Sequence, residues 1–97
     1  MNFHIELAKH EIKRIDDTVL VHNLDNNTVV QLNGTGSVVF LQLSQMNKRL
    51  FSMNTMVAAV ILAFHEMAGR EQEVEEDIKC FMHRLYQIGL MKSQFPN

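Results

Sequence analysis

A single cysteine, Cys80, is all that the 97-residue chain holds, so no internal disulfide forms and a reducing compartment is the fitting setting. Excess basic charge is also missing. Nine Lys and Arg against eleven Asp and Glu leave a formal charge of -2, which does not supply the positive surface that a phosphate backbone requires, and no nucleic-acid partner is expected. The longest apolar run, residues 56–64, falls far short of the roughly 20 residues that cross a bilayer. Residues 1–8 hold no apolar run behind a basic flank, so neither a signal peptide nor a membrane span is expected, and the localisation read from this is cytoplasmic. No repeat, low-complexity tract or linker divides the chain. Residues 1–97 are expected to form one small domain with one modest core and no second domain to build a cleft against, which argues against an enzyme.

The motifs of catalysis and metal binding fail in turn. Asn33, Gly34, Thr35, Gly36 and Ser37 lie between a strand-like and a helix-like run, as a phosphate loop does. A dinucleotide fingerprint would need glycine in place of Val39, however, and a Walker loop needs a Gly-Lys pair that is absent. A tight strand-to-helix corner is the plainer role. His65-Glu66 begins like a zinc-protease helix, but the second histidine would fall at Gly69. Cys80 and His83 share a helix face at i, i+3 without a second pair to complete a site, so they read as a half-buried thiol and an exposed imidazole. No oxyanion-hole element accompanies Cys80. No metal, cofactor or catalytic residue is expected.

What is present alternates first and then turns helical. Phe3, Ile5 and Leu7 alternate with polar residues, which leaves two readings open for residues 1–9, a strand or a terminus that stays loose until it finds a partner. Residues 10–15 look extended, Asp16-Asp17 turns, residues 18–24 are rich in β-branched side chains, Asp25-Asn26-Asn27 turns again, and residues 28–32 make a third strand. Asn33 is a good N-cap for a first helix over 34–43; residues 44–51 read as a loop anchored by Leu50 and Phe51. Ser52 with Thr55 caps a second helix over 53–68, ended by Gly69, with Met53, Met56, Val57, Val60, Ile61 and Phe64 as its core stripe. Its middle has almost no polar face, so it is either buried on two sides or offers an apolar patch.

The closing helix, residues 73–90, organises the rest. Val74, Ile78, Phe81, Met82, Leu85 and Ile88 recur on one stripe, acids from Glu71 to Asp77 crowd the positive end of the helix dipole, and Gly89 supplies a left-handed stop with Leu90 folding back. Asp77 and Arg84, two turns apart among apolar neighbours, are not needed for packing alone.

Order and spacing of these residues resemble the PqqD-like proteins, the recognition elements of ribosomally made, modified peptides, a family that takes its name from coenzyme PQQ synthesis. The family's Leu-Asn corner after the third strand is matched by Leu32, Asn33, Thr35 and Gly36. Its last helix, of the form Asp-Val-x-x-Phe-Leu-x-x-Leu-x-x-x-Gly-Leu, is matched by Asp77, Ile78, Phe81, Met82, Leu85, Gly89 and Leu90. The resemblance spans residues 12–92. Two features depart from the pattern: a longer basic loop with Lys48 and Arg49 after the first helix, and an unusually apolar second helix.

The resemblance implies a winged-helix-like α+β domain, a three-stranded antiparallel sheet followed by three helices. It further implies a non-catalytic adaptor that binds the leader segment of a precursor peptide and presents it to a modifying enzyme, often a radical SAM enzyme. The residues suit that role on their own terms, since an open edge strand accepts an added strand through main-chain bonds while a neighbouring helix offers side-chain pockets. The expected peptide site is Thr28, Val29, Val30, Gln31 and Leu32 at the edge, with Asp77, Phe81, Arg84, Leu85 and Ile88 lining the groove. Asp77 and Arg84 would read charge; Phe81 and Leu85 also serve the core. Micromolar or tighter binding, weakened by Arg84→Glu or by proline at Val30, is the corresponding expectation. The first rival is a winged-helix DNA-binding regulator, which needs exposed Lys or Arg on the second or third helix; residues 53–68 have none and the third helix opens on acids. A structural homodimer through the apolar stretch 57–64 is the second.

Overall fold

Two polar turns shape the first half of the chain. In the computed structural model, which describes residues 2–45 and 50–96, β1 (Asn2–Leu7) leads into β2 (His10–Ile15), β3 (Thr18–Asn23) and β4 (Thr28–Leu32). Asp16 adopts φ 54° and Asn27 φ 57°, the left-handed region that tight turns demand and that Asp and Asn tolerate better than other side chains. β2, β3 and β4 form an antiparallel sheet with β3 in the middle. Val19, Val21 and Asn23 are buried and alternate with half-buried neighbours, the burial pattern of a central strand covered on one side.

The chain then becomes helical, with α1 (Gly34–Gln45), a short β5 (Leu50–Ser52), α2 (Met53–Ala63), a single 3-10 turn (His65–Met67), α3 (Glu71–Gln87) and a closing β6 (Met91–Pro96). Ser52 caps α2 as its sequence promised, its hydroxyl accepting from the Thr55 N–H at 3.1 Å. Asn33 does something else. Its side-chain oxygen accepts from the Thr18 hydroxyl at 3.0 Å, tying the corner to β3, while Ser37 donates to the Gly34 carbonyl at 2.7 Å. α2 also stops short of the expected residue 68. Phe64 leaves helical geometry at φ -131°, and the turn that follows brings Phe64 and Met67 against the core. Of the loop expected over 44–51, residues 44 and 45 belong to α1, residues 50 and 51 to β5, and residues 46–49 lie outside the described set.

A second sheet, ordered β5-β1-β6, joins the two ends of the chain. Of the two readings left open for residues 1–9, the strand is observed. Leu7 pairs with Met91, and Ile5 is fully buried. The core runs from Ile5, Val19, Val21 and Leu32 through Val39, Phe40 and Leu43 to Met53, Met56, Val60, Val74, Ile78, Met82, Leu85 and Leu90.

How α3 ends determines where it lies against the sheet. The Leu90 N–H donates to the Leu85 carbonyl at 2.9 Å and the Gly89 N–H to the Tyr86 carbonyl at 3.1 Å, with Gly89 at φ 82°; these are the paired bonds of a Schellman stop, and Leu85 and Leu90 are its buried apolar contact. Asn23, fully buried on β3, locks the stop to the sheet. Its Nδ2 donates to the Gly89 carbonyl at 3.3 Å, while its Oδ1 accepts from the Asp25 N–H at 2.9 Å. Asn26 Nδ2 donates to the Ile88 carbonyl at 3.5 Å, and Lys92 pairs with Asp25 at 3.1 Å. Replacing Asn23 by alanine removes its bonds to the Gly89 carbonyl and to the Asp25 and Asn26 N–H groups and frees the turn. A cost of about 1–3 kcal/mol is expected, a fall in Tm of roughly 5–15 °C, and an unchanged melting curve would deny Asn23 this role.

Candidate functional site

Strand alternation decides which backbone groups are free. A two-residue turn makes Ile15 and Thr18 a hydrogen-bonded pair, so Thr18, Leu20 and His22 direct their main-chain groups to β2, and Val19, Val21 and Asn23 direct theirs to β4. Their partners are Leu32, Val30 and Thr28. The N–H and C=O groups of Val29 and Gln31 therefore face the outer margin of β4, where no strand pairs among the described residues. This register revises the choice of probe: proline at Val30 would remove a ladder bond within the sheet, whereas proline at Gln31 removes a donor at the margin.

The opposite edge of the same sheet, β2, carries Glu11, Lys13 and Arg14, charges that discourage a foreign strand, while β4 carries none. Beside the β4 margin runs α3. Between them lies a depression of about 270 Å³ lined by Val30, Gln31, Leu32, Phe81, Arg84, Leu85, Gln87 and Ile88. A second depression of about 230 Å³ adjoins it and is lined by Thr35, Gly36, Asp77, Cys80, Phe81 and Arg84. Phe81 and Arg84 belong to both, so the two form one groove along α3.

Eight of the ten expected residues line that groove. Val30, Gln31, Leu32, Phe81, Arg84, Leu85 and Ile88 line its first part, and Asp77 its second. Thr28 and Val29 do not line it; Val29 stands 63% exposed on the outer face of the sheet opposite His22, with its main-chain groups at the outer margin of β4. Leu85 is fully buried and forms the floor, Phe81 is half-buried, and Ile88 is exposed enough to meet a ligand. Neither Asp77 nor Arg84 has an ion pair among the described residues.

Four lining residues, Thr35, Gly36, Cys80 and Gln87, were outside the expected set. Cys80, expected half-buried, is exposed, because its position on α3 falls beyond the core stripe and facing the second depression. Gln87 joins the lining as an ordinary polar helix residue, with no pattern to mark it. Gly36 sets the spacing of α1 and α3: a Cβ there would meet Phe81 Cε1 at 3.1 Å. Gly36→Ala is expected to leave stability near its native level, since the added helix propensity of about 1 kcal/mol offsets the crowding. Phe81 lines both parts of the groove, so a shift of its ring reshapes the groove, and ligand affinity should drop severalfold while Tm holds; a drop in Tm with affinity intact would contradict this. Among the described residues no group of three or more His, Cys, Asp or Glu is placed to hold a metal ion. No described helix is long and apolar enough to cross a membrane.

No protein-family model and no curated protein matches the sequence. The fold does have a match. The chain is similar to the solved structure of TbiB1 in complex with the TbiA(beta) leader peptide, with a TM-score of 0.75 and 19% identity over 95% of this chain and 99% of that one. The class is thus an α+β fold in which a three-stranded antiparallel sheet and a small second sheet accompany three helices. It is the fold that the resemblance to PqqD-like proteins implied, shared with a protein solved with a leader peptide bound.

Proposed function

We propose that the chain is a non-catalytic, PqqD-like adaptor that takes the leader segment of a ribosomally made precursor peptide as an added strand on β4 and presents it to a modifying enzyme. One observation carries the proposal. The uncharged margin of the sheet lies directly beside an apolar groove on α3 that carries Arg84 and Asp77, which form no ion pair among the described residues, in a fold shared with a leader-peptide complex. Main-chain bonds to Val29 and Gln31 supply affinity that any extended peptide can use. Selection among peptides comes from alternate side chains: an apolar one enters the space between Val30, Phe81, Leu85 and Ile88, and an acidic one meets Arg84. Radical SAM enzymes are the class of modifying enzyme that the resemblance favours, in the cytoplasm, with coenzyme PQQ synthesis as one setting.

Nothing favours the DNA-binding reading: α2 carries no charged residue and α3 opens on Glu71 and Glu73. The test is calorimetry with the leader of a short precursor peptide encoded beside this chain. One-to-one binding of micromolar affinity or tighter is expected, and a leader that gives no saturable heat would remove the adaptor reading.

A further inference from the structure

A depression larger than either part of the leader groove lies elsewhere on the molecule. About 680 Å³ in volume, it lies between α2 and the first turns of α3, lined by Asn54, Val57, Ala58, Ile61, Leu62, Glu71, Gln72 and Glu75. Of the two possibilities the apolar α2 left open, the structure realises the patch. Met53, Met56, Val57 and Val60 are buried beneath, while Leu62 stands 75% exposed, the most exposed large apolar side chain among the described residues. At 100° per residue, Glu71 and Glu75 lie one turn apart on one flank of α3, and Asp77, Arg84 and Ile88 lie on the flank nearly opposite. The two grooves are therefore separate, and a ligand in one leaves the other open.

From this geometry we infer that the α2/α3 groove docks an amphipathic helical segment of a partner protein, one with an apolar stripe bordered by Lys or Arg. The floor sets the first half of that description: α2 has no charged residue, so its occupant presents apolar side chains to Val57, Ala58, Ile61 and Leu62. The wall sets the second. Glu71 and Glu75 line this flank of α3 with Glu76 at its border, and Lys79 among them is held in an exposed pair with Glu75. The flank is thus net acidic, and a basic border on the partner complements it. A second copy of this chain does not fit as well. Two such faces brought together would set uncharged α2 against α2 and acidic wall near acidic wall, the like-charge approach that interfaces avoid.

The test uses the full chain, labelled for NMR, and two model helices of equal length with the same leucine stripe, one bordered by lysine and the other by glutamate. The lysine-bordered helix should shift the resonances of Ala58, Ile61, Leu62 and Gln72, leave those of Val30, Phe81 and Ile88 in place, and bind at least about tenfold tighter than its glutamate counterpart at low salt. Leu62→Asp, a change at an exposed position, should abolish saturable binding while leader affinity stays at its native value. Charge reversal through Glu71→Lys with Glu75→Lys should invert the preference between the two helices. Equal binding of the two helices, or shifts confined to the β4/α3 groove, would overturn the inference. So would concentration-dependent broadening at Leu62 without any helix added, which would identify a second copy as the occupant. Loss of leader binding with helix docking intact would instead count against the adaptor reading alone.

Discussion

Gln31→Pro is expected to weaken leader binding by roughly tenfold to a hundredfold, equivalent to about 1.4–2.8 kcal/mol, while the protein remains folded. The Gln31 N–H faces the outer margin of β4 rather than β3, so no bond of the sheet is lost when proline removes it. What disappears is a donor to the incoming strand, and the ring stands where that strand would lie. The contrast with Val30→Pro makes the result diagnostic. Val30 pairs with Val21 through the ladder, so proline there should lower Tm by several degrees as well as affinity. Calorimetry and a thermal melt on both variants separate the cases. A Gln31→Pro protein that binds its leader at full strength would mean that the margin of β4 is not where the peptide pairs.

Arg84→Glu is the second large effect. Arg84 is exposed, lines both parts of the groove and has no ion pair among the described residues, so its charge is available to a ligand. Reversing it replaces an attraction by a repulsion, and a loss of about tenfold to a hundredfold is expected for a leader with an acidic residue at the facing position. Stability should change far less. A negative charge in the last turn of α3 opposes the helix dipole by about 0.3–1 kcal/mol, too little to account for such a loss of binding through unfolding. Arg84→Gln should fall between the native protein and the reversal. The difference among the three should shrink as salt is raised, because the effect is one of exposed charge. Equal affinities at low salt would leave Arg84 without a role in recognition.

Much of the framework is legible in the sequence because local signals agree there. Asp16-Asp17 and the run from Asp25 to Asn27 mark turns, the β-branched residues between them mark strands, and Ser52 and Gly89 mark helix ends; the structure has each in that role. The stripe on α3 and the uncharged residues of β4 likewise bring eight of the ten expected site residues to one groove. What stayed hidden depends on contacts distant in sequence. Residues 91–96 carry Lys92 and Pro96 and show no strand pattern of their own, and they are a strand only because β1, at the other end of the chain, pairs with them. Asn23 reads as an ordinary polar residue near a turn, although its inward parity with Val19 and Val21 is a signal; its Oδ1 caps that turn locally, and its Nδ2 finds a partner through the approach of Gly89. Phe64 sits on the helical stripe of α2, yet the chain leaves the helix there to reach α3. The direction of the main-chain groups on β4 follows from the two-residue turn, but only once the pairing of β2, β3 and β4 is known.

Amide hydrogen exchange on the free chain and on its leader complex tests the central claim most directly. In the free protein the amides of Val29 and Gln31 should exchange quickly while that of Val30 is protected by β3, and leader binding should slow Val29 and Gln31 with little change at Val30. Protection that builds on another element while Val29 and Gln31 exchange as fast as before would contradict strand addition at β4.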